Sequence, residues 1–169
     1  GRNDAPVNTV PGAQSVNEDT ALVFNAANSN SISVADVDAT DLTVKLTVSQ
    51  GTLTLASTTN LTIDAGADGT ATVTFTGAKA DVNAALDGLS YQGTTDYNGA
   101  DSLVVVVTDD AGTALTDTDT VAITVDPVND APVGTANTVT TDEDTAYTFT
   151  VADFGFTDAS DTSDAMASV

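Results

Sequence analysis

Thr43-Val44-Lys45-Leu46-Thr47-Val48 places an apolar residue at every second position. A strand with one buried and one wet face has that period of two. Gly51 then turns the chain into Leu53 and Leu55, which reads as a hairpin. Further along, Ala71, Val73 and Phe75 alternate with Thr70, Thr72 and Thr74. Leu103 to Val107 is a continuous apolar run, which reads as a central strand buried on both sides. Val121, Ile123 and Val125 form a closing strand, and Ala21–Phe24 and Ile32–Val34 add two more. About seven short strands separated by Gly, Asn and Asp turns predict an all-β sandwich. One stretch changes period: Val82, Ala85, Leu86 and Leu89 recur at helical spacing, so 78–89 reads as a short amphipathic helix crossing between sheets. The aromatics Phe24, Phe75, Tyr91 and Tyr97 are spaced as single core plugs, which gives no stacking platform for carbohydrate.

The chain has 169 residues, 25 Asp and Glu against 3 Lys and Arg, a net charge of −22, and no His, Cys or Trp. Imidazole chemistry, thiolate nucleophiles, zinc fingers and iron–sulfur clusters are therefore excluded. Only Arg2, Lys45 and Lys79 oppose the acidic charge, so nucleic acid and anionic lipid are not partners. No apolar run reaches the length of about 18 residues that a membrane-spanning helix needs. Paired carboxylates without an apolar pocket do not make a glycoside-cleaving site, and no enzyme activity is expected. Such a charge favours hard divalent cations with oxygen ligands.

A repeat organises the chain. Asn3-Asp4-Ala5-Pro6-Val7 returns letter for letter at Asn129-Asp130-Ala131-Pro132-Val133, and Asn17-Glu18-Asp19-Thr20-Ala21 returns as Asp142-Glu143-Asp144-Thr145-Ala146. The expected domains are a complete repeat over 1–128 and the N-terminal part of a second, incomplete repeat over 129–169. A partial sandwich leaves its apolar face open, so either further chain or another copy is expected to complete it.

The acidic residues gather near predicted strand ends. Glu18 with Asp19, Asp36 with Asp38 and Asp41, Asp109 with Asp110, and Asp126 with Asn129 and Asp130 form the groups. A Ca²⁺ ion takes six to eight oxygens at about 2.3–2.6 Å, and an Asp-x-Asp pair with an Asn carbonyl nearby supplies several. Two carboxylates about 5 Å apart repel by roughly 1–3 kcal/mol unless a cation intervenes. Solvated turns held by Asx hydrogen bonds are the other reading of these residues, and the preferred one for Asp64, Asp68, Asp87 and Asp117.

The junction Val125-Asp126-Pro127-Val128-Asn129-Asp130-Ala131-Pro132-Val133, with Val16-Asn17-Glu18-Asp19, Ala35-Asp36-Val37-Asp38 and Thr108-Asp109-Asp110-Ala111-Gly112, resembles the calcium-ligand set of cadherin repeats. Gly51-Thr52-Leu53-Thr54-Leu55, Ala84–Tyr91, Tyr97–Leu103 and Asp117–Val121 resemble more closely the cadherin-like tandem repeats of giant bacterial surface adhesins of the repeats-in-toxin type. The resemblance implies a cadherin/immunoglobulin-like Greek-key sandwich with calcium at each junction. Its implied ligands are Glu18, Asp36, Asp38, Asp109, Asp126, Asn129 and Asp130, with Glu143, Asp158 and Asp161 in the second copy. The sequence departs from the pattern at Asp158-Ala159-Ser160-Asp161, which has an extra residue, and at Val128. Asp101 stands nearest to the family's middle acidic motif. The implied function is an extracellular calcium-binding adhesion repeat that extends and stiffens a bacterial surface adhesin or secreted biofilm fibre. The resemblance implies adjacent repeats as partners. The incomplete second copy adds identical protomers joined by strand donation, and a cell-surface glycan or protein bound through loops at one end is the alternative reading.

Overall fold

The computed structural model describes residues 2–131 and 133–157, and the chain divides into two compact units, Gly1–Asp126 and Pro127–Val169. In the first unit the strands are β1 (Val7–Thr9), β2 (Gln14–Asn17), β3 (Leu22–Phe24), β4 (Ser33–Ala35), β5 (Asp41–Thr47), β6 (Gly51–Thr54), β7 (Thr62–Gly66) and β8 (Thr72–Ala78). The helix α1 (Lys79–Leu86) follows, then β9 (Leu89–Gly93), β10 (Gly99–Asp109) and β11 (Thr116–Asp126). A broad sheet has the order β2-β11-β10-β5-β8-β7, a narrow one β3-β9-β6, and β1 pairs with β4. All pairings are antiparallel except β2 with β11. The fold is the expected all-β immunoglobulin-like sandwich with one short helix.

Alternation builds the core. On β5 the residues Leu42, Val44 and Leu46, and on β8 Val73 and Phe75, are fully buried. On the other face stand Thr43, Thr47, Thr72, Thr74 and Thr76, with Asp41 and Lys45 on β5. Threonine suits a strand through β-branching and suits water through the hydroxyl. Register aligns Thr116, Thr108, Thr43, Thr76 and Thr62 across five strands, and the Thr43 and Thr76 hydroxyls meet at 2.7 Å. The helix carries the chain from β8 in the broad sheet to β9 in the narrow one and buries Val82, Ala85 and Leu86.

Three readings of the sequence change. First, the 43–48 and 53–55 segments are not a hairpin: β5 pairs with β8 and β10, while β6 pairs with β9 in the other sheet. The carboxylate of Asp101 takes the amides of Ser49 and Gln50 at 3.0 and 2.9 Å and turns the chain between layers. Gly51 makes the crossing possible, because a Cβ there would collide with the Gln92 carbonyl. Second, Leu103–Val107 is buried on one face only: Leu103, Val105 and Val107 are buried, while Val104 and Val106 on the outer side are half-buried. Third, Leu89 opens β9 instead of ending the helix, and β1, β2, β7 and β9 are additional strands.

Asn83 fastens the helix to the β1–β4 ladder. Its Oδ1 accepts from the Val34 amide at 2.9 Å, and its Nδ2 donates to the Val34 and Lys79 carbonyls at 3.0 and 2.8 Å. Asn83→Ala strands three backbone groups in part-buried surroundings, and the expected loss is about 2 kcal/mol by urea unfolding. A loss below about 0.5 kcal/mol would show that water replaces the amide there.

In the second unit β12 (Val133–Gly134) pairs with β13 (Phe156–Thr157), and a 3-10 turn over Val151–Phe154 is closed by a capping box between Thr150 and Asp153. The rings of Tyr147 and Phe149 meet edge to face at 5.3 Å. Where the sequence repeats, local geometry repeats too. Thr20 donates to the Asn17 carbonyl and Thr145 to the Asp142 carbonyl, both at 3.2 Å, with Asp19 at φ 57° and Asp144 at φ 58°.

Candidate functional site

The inward row of β10 reads Asp101, Leu103, Val105, Val107, Asp109, an apolar strip with a carboxylate at each end. Strand alternation thus delivers acidic residues to both ends of the sandwich, where the loops lie.

At one end Asp109 is 5% exposed. Its Oδ1 accepts from the Leu115 amide at 3.2 Å and closes the β10–β11 turn, while its Oδ2 accepts from Asn3 Nδ2 at 3.1 Å. Asn3 Nδ2 also reaches the Ala111 and Thr113 carbonyls at 2.7 and 2.9 Å. Asp36 forms an Asx turn, its Oδ1 taking the Asp38 and Ala39 amides at 2.9 and 2.6 Å. The Ala39 amide above all, with the Asp38 amide and the Lys79 charge helping, holds the Asp36 carboxyl below its ordinary range although burial opposes this. Asp38 Oδ1 lies 3.4 Å from the Asp4 amide, and Asp110 Oδ1 accepts from the Thr40 amide at 3.0 Å. These bonds bring the 2–4 segment, the 36–40 loop and the 109–113 turn together.

Two oxygens of this end are buried and meet no donor: Asp36 Oδ2 and Asn3 Oδ1. A buried acceptor without a partner costs about 1–3 kcal/mol, and more when charged. The donor set, a carboxylate oxygen, an amide oxygen and the nearby Asp38 carboxylate, is of the kind a hard divalent cation takes. Within this unit, among the described residues, no three carboxylates bring oxygens within 4.8 Å of one another. Any such set therefore needs oxygens besides carboxylates, and the Asn3 amide oxygen is a candidate.

At the opposite end Glu18 is 3% exposed, its amide donates to the Asp126 carbonyl at 2.8 Å, and its Oε2 accepts from Asn98 Nδ2 at 3.4 Å. Asp126 closes β11 beside Asn17. Asp19 Oδ1 accepts from the Asp96 amide at 3.3 Å. In the second unit Asn129 is exposed and donates to the Asp130 carbonyl at 2.9 Å, Asp130 is half-buried, and Glu143 is exposed. Asp158 and Asp161 lie outside the described residues.

Sequence reasoning pairs Asp36 with Asp38 and sets Asp109 in a separate group beside Asp110. The structure brings these loops to one end of the sandwich together with Asn3, which that reasoning leaves out. The signal for Asn3 lies in the repeat itself. Asn129 is its counterpart 126 residues on, so a role assigned to one asparagine applies to the other by the same offset. Elsewhere in the unit, a shallow cavity of ≈ 390 Å³ lies between α1 and the 26–33 loop, lined by Ile32, Asn83 and Asp87 among others. It brings no paired carboxylates together.

A family model described as Protein GAMETE EXPRESSED 2 domain matches residues 21–118, more than half of the chain. No curated protein matches it. The match replaces the bacterial reading. The chain is not a cadherin-like repeat of a repeats-in-toxin adhesin, and calcium stiffening of a bacterial surface adhesin or biofilm fibre falls with that assignment. The physical reason is that alternating Thr and Val follow from strand propensity, and Gly and Asp loops from turn preference, in any acidic sandwich. They do not distinguish one sandwich family from another. Among the described residues, no helix is long and apolar enough to cross a membrane.

Proposed function

The chain belongs to the Protein GAMETE EXPRESSED 2 domain family, and from that premise we propose that it is a non-enzymatic recognition module displayed on the outside of a gamete. The observation that carries this reading is the reach of the family match, which runs from just before β3 into the start of β11 and so takes in all of the narrow sheet and most of the broad one. A rigid sandwich with loops at both ends is a scaffold for binding another surface. Antibody raised against the chain is expected to stain intact gametes without permeabilisation and to reduce their attachment to partner cells. Staining only after permeabilisation would overturn the placement, and undisturbed attachment would overturn the role.

We propose further that a Ca²⁺ ion is held at the end of the sandwich where Asn3 Oδ1 and Asp36 Oδ2 are buried, with Asp38 as an additional ligand. Asp109 acts indirectly, holding Asn3 in place through its hydrogen bond. The ion would give the two orphan oxygens a partner and fasten three loops, a local role inside one domain. At ten times its dissociation constant, calcium is expected to add about 1.4 kcal/mol to stability. Melting with calcium and with chelator reads this directly. Asp36→Asn should lose the calcium response, and an equal response in that variant would rule the site out.

A further inference from the structure

Asn60-Leu61-Thr62 is the one Asn-x-Ser/Thr triplet in the sequence, and the intervening residue is not proline. That spacing is the acceptor pattern for N-linked oligosaccharide, which is attached at surface loops of secreted proteins. The geometry here suits it. Leu61 donates its amide to the Thr58 carbonyl at 3.2 Å, so Asn60 sits near the crest of a turn, at φ 59° in the left-handed region that asparagine tolerates. Asn60 and Thr62 are exposed, while Leu61 packs against the core and fixes the turn. Asn60 Nδ2 makes one exposed bond, to Asp81 Oδ1 at 3.2 Å. A glycosylated amide keeps one N–H, so that bond survives the modification.

The strand after this turn gives the modification a purpose. β7 is an edge strand paired only with β8, and all five of its residues are exposed. Open edges template pairing with other chains, and natural sheets cover or interrupt them. A bulge between Ile63 and Ala65 interrupts this edge, yet Ile63 remains 37% exposed beside it. A bulky sugar at the strand's entrance would cover what the bulge leaves open.

We propose that Asn60 carries an N-linked glycan and that this glycan shields the free edge of β7. The inference rests on the extracellular reading above. In the transfer, Asn60 Nδ2 forms a bond to C1 of an oligosaccharide delivered on a polyprenyl diphosphate. The C1–oxygen bond breaks, the diphosphate leaves with the electron pair, and Nδ2 gives up one proton.

The test sends the full chain through the secretory route of a eukaryotic cell line and weighs the protein recovered from the medium before and after peptide N-glycosidase. The enzyme is expected to remove the mass of one oligosaccharide and leave Asp at position 60. N60Q and T62A should lack that mass and T62S should keep it. A secreted wild-type chain without sugar, or N60Q with it, overturns the site while leaving the surface placement standing, because staining of intact gametes reads that placement separately. Light scattering then tests the shield. N60Q is expected to rise towards a dimer's mass at concentrations where the glycosylated chain stays monomeric, and equal masses for both would overturn the shielding role.

Discussion

Phe75→Ala is expected to lower the unfolding free energy of the first unit by about 3–5 kcal/mol, the usual cost of emptying a buried phenylalanine site. Phe75 is fully buried on β8, opposite Val44 on β5 and Ile63 on β7. Sheet strands on both sides hold the backbone, so the site cannot collapse to refill the space, which puts the cost towards the upper half of that range. A domain of this size has about 5–15 kcal/mol in total, and the loss removes a large fraction of it. In urea the midpoint should fall with little change in slope, because the surface exposed on unfolding is nearly the same. Thr74→Ala on the same strand, pointing outward and half-buried, is the control and should stay within about 0.5 kcal/mol. A Phe75→Ala loss below about 1.5 kcal/mol would mean that the two layers are packed more loosely than their burial implies.

Phe75 also marks how far the sequence is legible. Its position in a run of alternating threonines announces both the strand and the buried face, because side-chain period is a local property of extended backbone. The same holds for Val44, Leu46 and Val73, and for the helix, whose Val82, Ala85 and Leu86 keep helical spacing. Which sheet a strand joins is not local. β6 carries the same alternation as β5, and only the crossing at Ser49–Gly51, fixed by a carboxylate far along the chain at Asp101, sends it to the narrow sheet. β7 is illegible because Thr62-Ile63-Asp64-Ala65-Gly66 buries nothing, so it has no apolar period to read. The acidic groups are legible as clusters. Their chemistry is less so, since an Asp that accepts backbone amides and an Asp that ligates an ion look alike in sequence. Asp36 illustrates both, with one oxygen spent on an Asx turn and the other left over.

Asp101 shows the consequence of that ambiguity, and its replacement carries the second large effect. From sequence it stands nearest to an acidic calcium motif. In the structure it is an anchor: Oδ1 accepts from the Ser49 and Ser102 amides at 3.0 and 2.7 Å, and Oδ2 from the Gln50 amide and the Tyr91 hydroxyl at 2.9 and 3.0 Å. Asp101→Ala removes a charged acceptor from four donors at once. Charge-assisted bonds are about twice as strong as neutral ones, but Asp101 is only half-buried and water can reach some of its partners, so the expected loss is about 3 kcal/mol rather than the full sum. Tyr91→Phe, which removes one donor and leaves the carboxylate its amides, should cost about 1 kcal/mol. The two variants also separate by pH. Burial first, and the Asp101 carboxylate second, raise the Tyr91 hydroxyl above its ordinary value of 10.0. A group whose pKa is raised on folding adds stability that is whole below its unfolded value and is lost as pH climbs towards the folded one. Wild-type stability is therefore expected to decline above pH of about 10, while Tyr91→Phe, with nothing there to ionise, declines less. Asp101→Ala should fall between them, because burial still disfavours the phenolate once the carboxylate is gone. An alkaline decline of equal steepness in wild type and Tyr91→Phe would place its origin at another group and detach Tyr91 from Asp101.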